Sequence, residues 1–215
     1  MKDKVKELNA AVYSKEVRWF FTEKPVAVEL WFNTYESFVE TSEERTDYYL
    51  VMHPHDNISY KLREGKTEIK MRLGEAIPSH FPNNHAGKTD GWVKWSMALK
   101  KKIDSPDMLY DAGEKTFIAL LKKRKLITFD VLPDGTATIV RSDHTSVESC
   151  QVEFTSLQYN DKIWFSFGFE ATGSRSLIER NFDAVTQAVL GEIDKMVLEE
   201  KDSYGYPAFL ALLKP

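Results

Sequence analysis

Residues 58–73 alternate polar and apolar side chains on both sides of a short turn, and this pattern constrains the fold more than any other stretch. At a period of two, such a segment is a pair of β-strands with one apolar and one charged face. Gly65 in the turn can take the positive φ angle that a tight hairpin requires. The charged face consists of Lys61, Arg63, Glu68, Lys70 and Arg72. This face either meets solvent or lines the inside of a barrel.

The same alternation recurs along the chain, with turn residues between the segments. Besides the hairpin, it predicts strands over residues 15–21, 45–52, 92–99, 116–131, 136–141, 148–157 and 163–171. Apolar residues at helical spacing predict helices over 25–38 and 175–200. Residues 74–91, rich in Pro, Asn, His and Gly, are predicted to form a long connection. The expected fold is α+β: one domain over residues 1–215, built as an antiparallel, tunnel-like eight-stranded β-barrel with flanking helices.

Composition narrows the classes of partner. The 215 residues carry a net charge of −4, so there is no overall basic field to attract extended nucleic acid, and any anion site must be local. A single cysteine, Cys150, allows no disulfide within the chain and fits a reducing compartment. The N-terminal residues resemble no signal peptide and no apolar run is long enough to span a membrane. We therefore expect a cytoplasmic protein; the sequence leaves its oligomeric state open.

Charged side chains on one face of many strands are unusual in a packed sandwich, but they are expected in a hydrated lumen. Lysine and arginine donate charge-assisted hydrogen bonds to phosphate, so the predicted phosphate-binding residues are Arg18, Lys61, Arg63, Lys70, Arg72, Lys94, Lys122, Arg124 and Arg141. Carboxylates hold hard cations, so a few acids at one end of such a lumen could hold Mg²⁺ or Mn²⁺. Such a lumen would bind a small polyanion, a triphosphate or an organic phosphate.

The order of these segments resembles the CYTH, or triphosphate tunnel metalloenzyme, superfamily. The matching segments are the strand at Glu16, the hairpin Y-K-L-R-E-G…E-I-K-M-R, the strand L-K-K-R-K, and the late strands Q-V-E-F-T and F-G-F-E-A before a long helix. The resemblance implies an eight-stranded tunnel that binds a triphosphate and one or two divalent ions. It assigns phosphate contacts to Lys61, Arg63, Lys70, Lys122 and Arg124, and metal positions to Glu16, Glu153 and Glu170.

Three positions depart from the motifs of that superfamily. Its opening Glu-x-Glu-x-Lys is Glu-Val-Arg-Trp-Phe here, with Arg18 in place of the second acid and Phe20 in place of the lysine. Its late Glu-x-Glu is Gly-Phe-Glu, with Gly168 in place of the first. Three hypotheses follow: a metal-dependent triphosphatase, a non-catalytic protein that binds a phosphorylated ligand or nucleotide, and an interaction protein whose charged strand faces meet water.

Overall fold

The computed structural model describes residues 11–52, 54–99, 117–141 and 148–213. Within these ranges the α-helices are α1 (Val26–Thr34), α2 (Arg175–Glu192) and α3 (Tyr206–Leu213). The strands, numbered in chain order, are β1 (Val12–Phe21), β2 (Glu40–Thr41), β3 (Arg45–Leu50), β4 (Ile58–Arg63), β5 (Lys66–Arg72), β6 (Ile77–His80), β7 (Ala86–Ala98), β8 (Phe117–Val131), β9 (Ala137–Val140), β10 (Cys150–Tyr159) and β11 (Lys162–Gly173). Short 3-10 helices cover Glu36–Phe38, Pro82–Asn84 and Glu200–Asp202.

Eight of the strands form a closed ring of antiparallel pairs. From β1 the order runs through β11, β10, β8, β3, β4, β5 and β7, and the pairing of β7 with β1 closes the ring. Outside it, β6 pairs with β7, while β2 and β9 pair with β8. The ring strands are not spread evenly round one axis. The predicted antiparallel α+β architecture with helices beside the sheet is confirmed, whereas a regular eight-stranded barrel is not.

Around the central cavity, the alternation of β1, β10 and β11 separates an apolar outer face from a polar inner face. On β1, Val17 and Trp19 belong to the main apolar core, whereas Glu16 and Arg18 face the inside of the ring. Helix α2 covers the outer face of β1, β10 and β11 with a stripe of apolar side chains at helical spacing. The stripe consists of Ile178, Phe182, Val185 and Val189, all nearly inaccessible to solvent.

A second apolar cluster holds the C-terminal helix against the ring. Phe209 of α3 stacks on Phe20 with ring centroids 3.8 Å apart, and Leu210 lies in the same cluster. Because Phe20 is the residue after Trp19, successive side chains of β1 pack into different parts of the molecule. Helix α3 is therefore fixed against the ring, and Tyr206 at its start reaches the inside.

The predicted hairpin forms between β4 and β5, and its turn has the expected conformation. Gly65 has φ +73° and Glu64 has φ +49°, so both central residues are left-handed, as a two-residue turn between twisted strands requires. Several predicted boundaries are wrong. The first strand begins at Val12 and not at residue 15, and the first helix ends at Thr34 and not at residue 38. The long connection at residues 74–91 contains β6 and the first half of β7, because Gly87 pairs with β6 and Asp90 with β1.

Helix α2 ends at Glu192, not at residue 200. The side-chain amide of Asn83 donates hydrogen bonds to the carbonyl oxygens of Leu190 and Gly191, both at 3.0 Å, and so satisfies groups that a longer helix would use. Ile193 leaves the helical conformation at φ −92° and ψ 92°. In the described part of the chain, no helix is long and apolar enough to cross a membrane.

Candidate functional site

The ring encloses a polar cavity to which all eight of its strands contribute side chains. Its volume is about 160 Å³, similar to an engineered cavity that accommodates benzene, so a phosphate group fits inside. The basic lining residues are Arg18, Arg45, Lys61, Arg63, Lys70, Lys94, Lys122 and Arg124. The acidic lining residues are Glu16, Asp47, Glu68, Asp90, Glu153 and Glu170. Among described residues the lining therefore has two more basic than acidic side chains.

Most of the residues singled out in the sequence meet in this central cavity. Seven of the nine predicted phosphate-binding residues line it: Arg18, Lys61, Arg63, Lys70, Lys94, Lys122 and Arg124. All three predicted metal ligands, Glu16, Glu153 and Glu170, line it too. Arg72 and Arg141 do not. Arg72 is paired with Asp56 at 3.1 Å, and Arg141 is exposed after β9, which lies outside the ring.

Lys70 lies between two carboxylates. Its ammonium nitrogen is 2.7 Å from Glu16 Oε1 and 3.2 Å from Glu170 Oε1. Lys94 Nζ is 3.5 Å from the same Glu170 oxygen. Burial alone would lower the pKa of Lys70, but the charges of Glu16, Glu170 and Glu68 outweigh it and raise that pKa. Lys70 is therefore a permanent cation at neutral pH.

A second ion-paired group surrounds Glu153. Arg18 Nη1 is 2.6 Å from Glu153 Oε1, and Arg124 Nη1 is 3.5 Å from Glu153 Oε2. Thr155 donates a hydrogen bond of 3.0 Å to Oε1. Burial alone would raise the pKa of Glu153, but Arg18 and Arg124 lower it to about 2. Glu153 is thus ionised, and its charge is balanced by cations of the protein.

Gly168 gives Arg18 the space to reach Glu153. The two residues are directly paired between β1 and β11. A Cβ atom at position 168 would lie 2.7 Å from the carbonyl oxygen of Val17 and 3.1 Å from Arg18 Cβ. Two of the three departures from the motifs, Arg18 and Gly168, therefore form one local arrangement: the cation occupies one motif position, and the glycine at the other leaves space for it.

Lys122 lies in an aromatic cage. Its ammonium donates a hydrogen bond of 2.6 Å to Tyr49 Oη and lies 3.5 Å from Asp47 Oδ2. It also lies 4.0 Å from the ring centroid of Tyr206, whose ring stacks on Tyr49 at 5.5 Å. Burial lowers the pKa of Lys122 to about 8, although Asp47 and Glu153 oppose that shift. Lys122 is therefore a cation at neutral pH, but it loses its proton at a lower pH than an exposed lysine would.

The two basic residues of β4 differ in their partners. Lys61 Nζ is 2.9 Å from Glu68 Oε1 on the neighbouring β5. Arg63 lines the same cavity, and no described acidic side chain lies within 4.0 Å of its guanidinium. Its hydrogen-bonding capacity is therefore available to a ligand.

Asp90 adds an acid that the sequence reading placed in a connection. It pairs with Glu16 between β7 and β1, it is 4% exposed, and its Oδ1 atom accepts no hydrogen bond from a described residue. Burial raises its pKa to about 6; Arg72 opposes this shift and Glu16 adds to it. Asp90 therefore lies in the cavity wall as a carboxylic acid with a raised pKa and one oxygen that accepts no described hydrogen bond.

The C-terminal segment covers part of the cavity. Ser203 forms an isolated antiparallel β-bridge with Trp19, and the backbone N–H of Tyr204 donates a hydrogen bond of 3.1 Å to the carbonyl oxygen of Arg18. The lining residues from this segment are Tyr204, Gly205, Tyr206 and Pro207. No strand or helix signal in the sequence places them there, because they reach the cavity only through tertiary packing.

Three lining residues on β3 were not among the predicted site residues, although the sequence contains a pattern that indicates them. Arg45, Asp47 and Tyr49 alternate along β3, so the same period-two reading that found Lys61 and Arg63 would have included them.

The carboxylates do not suit a divalent ion in their present arrangement. Within residues 11–52, 54–99, 117–141 and 148–213, no group of three or more His, Cys, Asp or Glu side chains could hold a metal. Glu16 and Glu170 share Lys70, while Glu153 is held by arginines in a separate group. Mg²⁺ and Mn²⁺ require several oxygen ligands at short range, and here ammonium and guanidinium groups occupy those oxygens.

Comparison with known proteins gives weak structural similarities. No family model matches the sequence, and no curated protein is similar to it. The PH1012 protein of Pyrococcus horikoshii OT3 is 11% identical, with 87% of this chain and 93% of that chain covered at a TM-score of 0.44. A conserved hypothetical protein of Pyrococcus furiosus is 14% identical, with 90% and 98% covered at 0.41. The S. pombe RNA triphosphatase Pct1, solved with the Spt5 CTD, is 10% identical, with 83% and 78% covered at 0.38. The functional assignment therefore depends on the cavity itself.

Proposed function

We propose that the central cavity binds a compact polyanion, a triphosphate or an organic phosphate. The observation that carries this proposal is the convergence of eight lysine and arginine side chains from six ring strands on one enclosed space, with two more basic than acidic groups. Cations placed in a partly water-excluded cavity attract an anion more strongly than they would on an open surface. The site thus supplies charge that the chain as a whole, at −4, lacks.

The arrangement supports one of the three hypotheses more than the other two. In an interaction protein with solvent-exposed charged faces, the lysine and arginine side chains would lie on the outside of the sheet. Here they line the cavity. Between enzyme and binding protein, the ion pairs of Glu16, Glu153 and Glu170 favour binding, because no described set of three acids could hold a metal for phosphoryl chemistry. The resemblance to the triphosphate tunnel superfamily supports the ligand class.

Titration calorimetry with tripolyphosphate at low ionic strength tests the proposal. Arg63→Ala removes a guanidinium that faces the cavity without a described acidic partner, so it should weaken binding by about 1–3 kcal/mol. Arg141→Ala is the matched control: Arg141 is exposed outside the ring, and its loss should change affinity by less than about 0.5 kcal/mol. Equal affinities of wild type and Arg63→Ala would remove the cavity from consideration.

Phosphate release separates binding from hydrolysis. We expect low or no release from tripolyphosphate, thiamine triphosphate or ATP with either Mg²⁺ or Mn²⁺. Rapid turnover that is lost in Glu170→Gln would show that the carboxylates take part in catalysis and would replace the binding assignment with an enzymatic one.

A further inference from the structure

We propose that the ammonium group of Lys70 replaces a divalent cation between Glu16 and Glu170, so that the cavity binds phosphate without any metal ion. This inference rests on the proposed function for its phosphate part, but its metal part can be tested alone. It concerns the source of positive charge in the cavity. The carboxylates do not suit a metal because a lysine of the chain already supplies the positive charge beside them.

The first support is the register of four neighbouring strands. Glu16 and Glu170 are direct partners between β1 and β11, and Lys70 and Lys94 are direct partners between β5 and β7. Since β7 also pairs with β1, these are four consecutive strands of the ring, and on their inner face Lys70 reaches both glutamates while Lys94 reaches Glu170. The pair of negative charges therefore lies beside a pair of positive charges.

The second support is the extent of burial around Lys70. The side chains of Lys70, Glu16 and Glu170 are 17%, 14% and 20% exposed, so their charges are poorly screened by water. A divalent cation at the same oxygens would repel Lys70 and Lys94 at short range, and displacing the lysines would leave buried ammonium groups without partners. The resident lysines thus compete with a metal for the same two carboxylates.

The third support is the set of contacts that Glu153, the remaining predicted metal ligand, makes with cations of the protein. Glu153 is held by Arg18 at 2.6 Å, and Gly168 leaves the space that this contact requires. Arginine therefore replaces an acid in the cavity wall and also neutralises a second acid. The three candidate ligands are divided between two ion-paired groups, and each group already contains its cation.

The described residues leave the cavity with an excess of two basic groups before any metal is added. A phosphate ligand therefore meets net positive charge from the protein alone. Metal-free binding is the expected result.

The experiment is a titration of Mn²⁺ in the absence of phosphate, followed by the electron paramagnetic resonance signal of the free ion. Wild type should bind no Mn²⁺. Lys70→Met removes the ammonium but keeps a long side chain, and it frees the carboxylates of Glu16 and Glu170 from their contacts with Lys70 at 2.7 and 3.2 Å. This variant should bind about one Mn²⁺ per chain at metal concentrations at which wild type binds none.

Lys61→Met is the matched control, because Lys61 pairs with the single carboxylate Glu68 and its loss should create no Mn²⁺ site. In Lys70→Met/Glu170→Gln the gained site should disappear. Circular dichroism establishes that each variant is folded. If Lys70→Met does not fold, the titration of wild type alone decides: stoichiometric Mn²⁺ binding overturns the inference, and its absence supports it.

Tripolyphosphate binding by wild type in excess EDTA completes the test. Binding in EDTA together with no Mn²⁺ binding supports both proposals. Stoichiometric Mn²⁺ binding by wild type, or a folded Lys70→Met that binds no Mn²⁺, contradicts the role of Lys70 whatever happens with phosphate. If wild type binds neither Mn²⁺ nor tripolyphosphate, the proposal of phosphate binding fails, while the inference that the Lys70 ammonium takes the place of a metal stands.

Discussion

Near the middle of β1, β10 and β11 both faces of the sheet are buried, but they are stabilised in different ways. On the outer face, Trp19 and Phe167 are completely inaccessible and pack against helix α2 and each other. On the inner face of the same strands, Arg18 and Glu153 are also largely buried, and each depends on the opposite charge of the other. Apolar burial stabilises the fold directly, whereas buried ion pairs contribute little net free energy and are costly when broken. The comparison indicates that the outer face maintains the fold, whereas the inner face maintains the charged cavity in which we propose that a ligand binds.

Truncation of the outer face should give the largest change in stability. Phe167→Ala removes a fully buried ring that stacks on Trp19 and contacts Phe169, so it should lower the free energy of unfolding by about 3–5 kcal/mol. Urea denaturation measures this loss. Ile163→Ala is the control on the same face of β11, where the side chain is 56% exposed, and it should change stability by less than about 0.5 kcal/mol. A Phe167→Ala variant as stable as the control would remove the contrast between the faces.

A methyl group at Gly168 should disturb the inner face and cost less. In Gly168→Ala the new Cβ would lie 2.7 Å from the carbonyl oxygen of Val17 and close to Arg18, so strand and side chain must shift. We expect a loss of about 1–3 kcal/mol in the free energy of unfolding, together with weaker tripolyphosphate binding. Gly91→Ala is the control, because its Cβ would meet Leu73 only at an ordinary 3.7 Å. Equal behaviour of the two variants would show that Arg18 does not depend on this glycine.

The smallest expected effect is a pH dependence of binding. The pKa of Lys122 is lowered to about 8, chiefly by burial, so Lys122 is a cation below that pH and becomes neutral above it. An anion binds the charged form, and affinity should therefore fall as the pH rises through about 8, by up to about tenfold if binding raises this pKa by one unit. Tyr206 has a pKa raised to about 12, that of Tyr49 is also raised, and the acid Asp47 has a lowered pKa, so these neighbours keep their charge states near pH 8.

The probe for that titration is trimetaphosphate, whose strongly acidic groups stay ionised between pH 6 and 10. Lys122→Arg separates Lys122 from other groups such as Lys61, whose pKa is also lowered by burial. Arginine remains protonated over the whole range, so the decline near pH 8 should disappear in this variant. A decline that persists unchanged in Lys122→Arg would assign it to another residue.

The sequence was sufficient for the features that depend on local alternation. The charged face of β4 and β5, the left-handed turn at Gly65 and the apolar stripe of α2 follow from periodicity and turn chemistry alone. The inward orientation of Lys61 and Lys122 follows from the same pattern once the sheet closes, but closure depends on the pairing of β7 with β1, which no local signal specifies.

Features created by tertiary packing could not be predicted in this way. His85 lies in a segment rich in loop-forming residues, yet it is buried: the backbone N–H of Leu198 donates to its Nδ1 at 3.0 Å, and its Nε2 bonds the carbonyl oxygen of Ile193 at 2.9 Å. These contacts help to end α2 early. Tyr206 enters the cavity only because α3 docks on Phe20. Charge pairing between distant strands, such as Lys70 with Glu16, likewise depends on register and not on composition.

A crystal structure with tripolyphosphate tests the central claim most directly. The account predicts phosphate density inside the ring, within hydrogen-bonding distance of Arg63 and Lys122, with the Lys70 ammonium still between Glu16 and Glu170. Phosphate bound on the outer surface, or an empty cavity at saturating ligand, would contradict it.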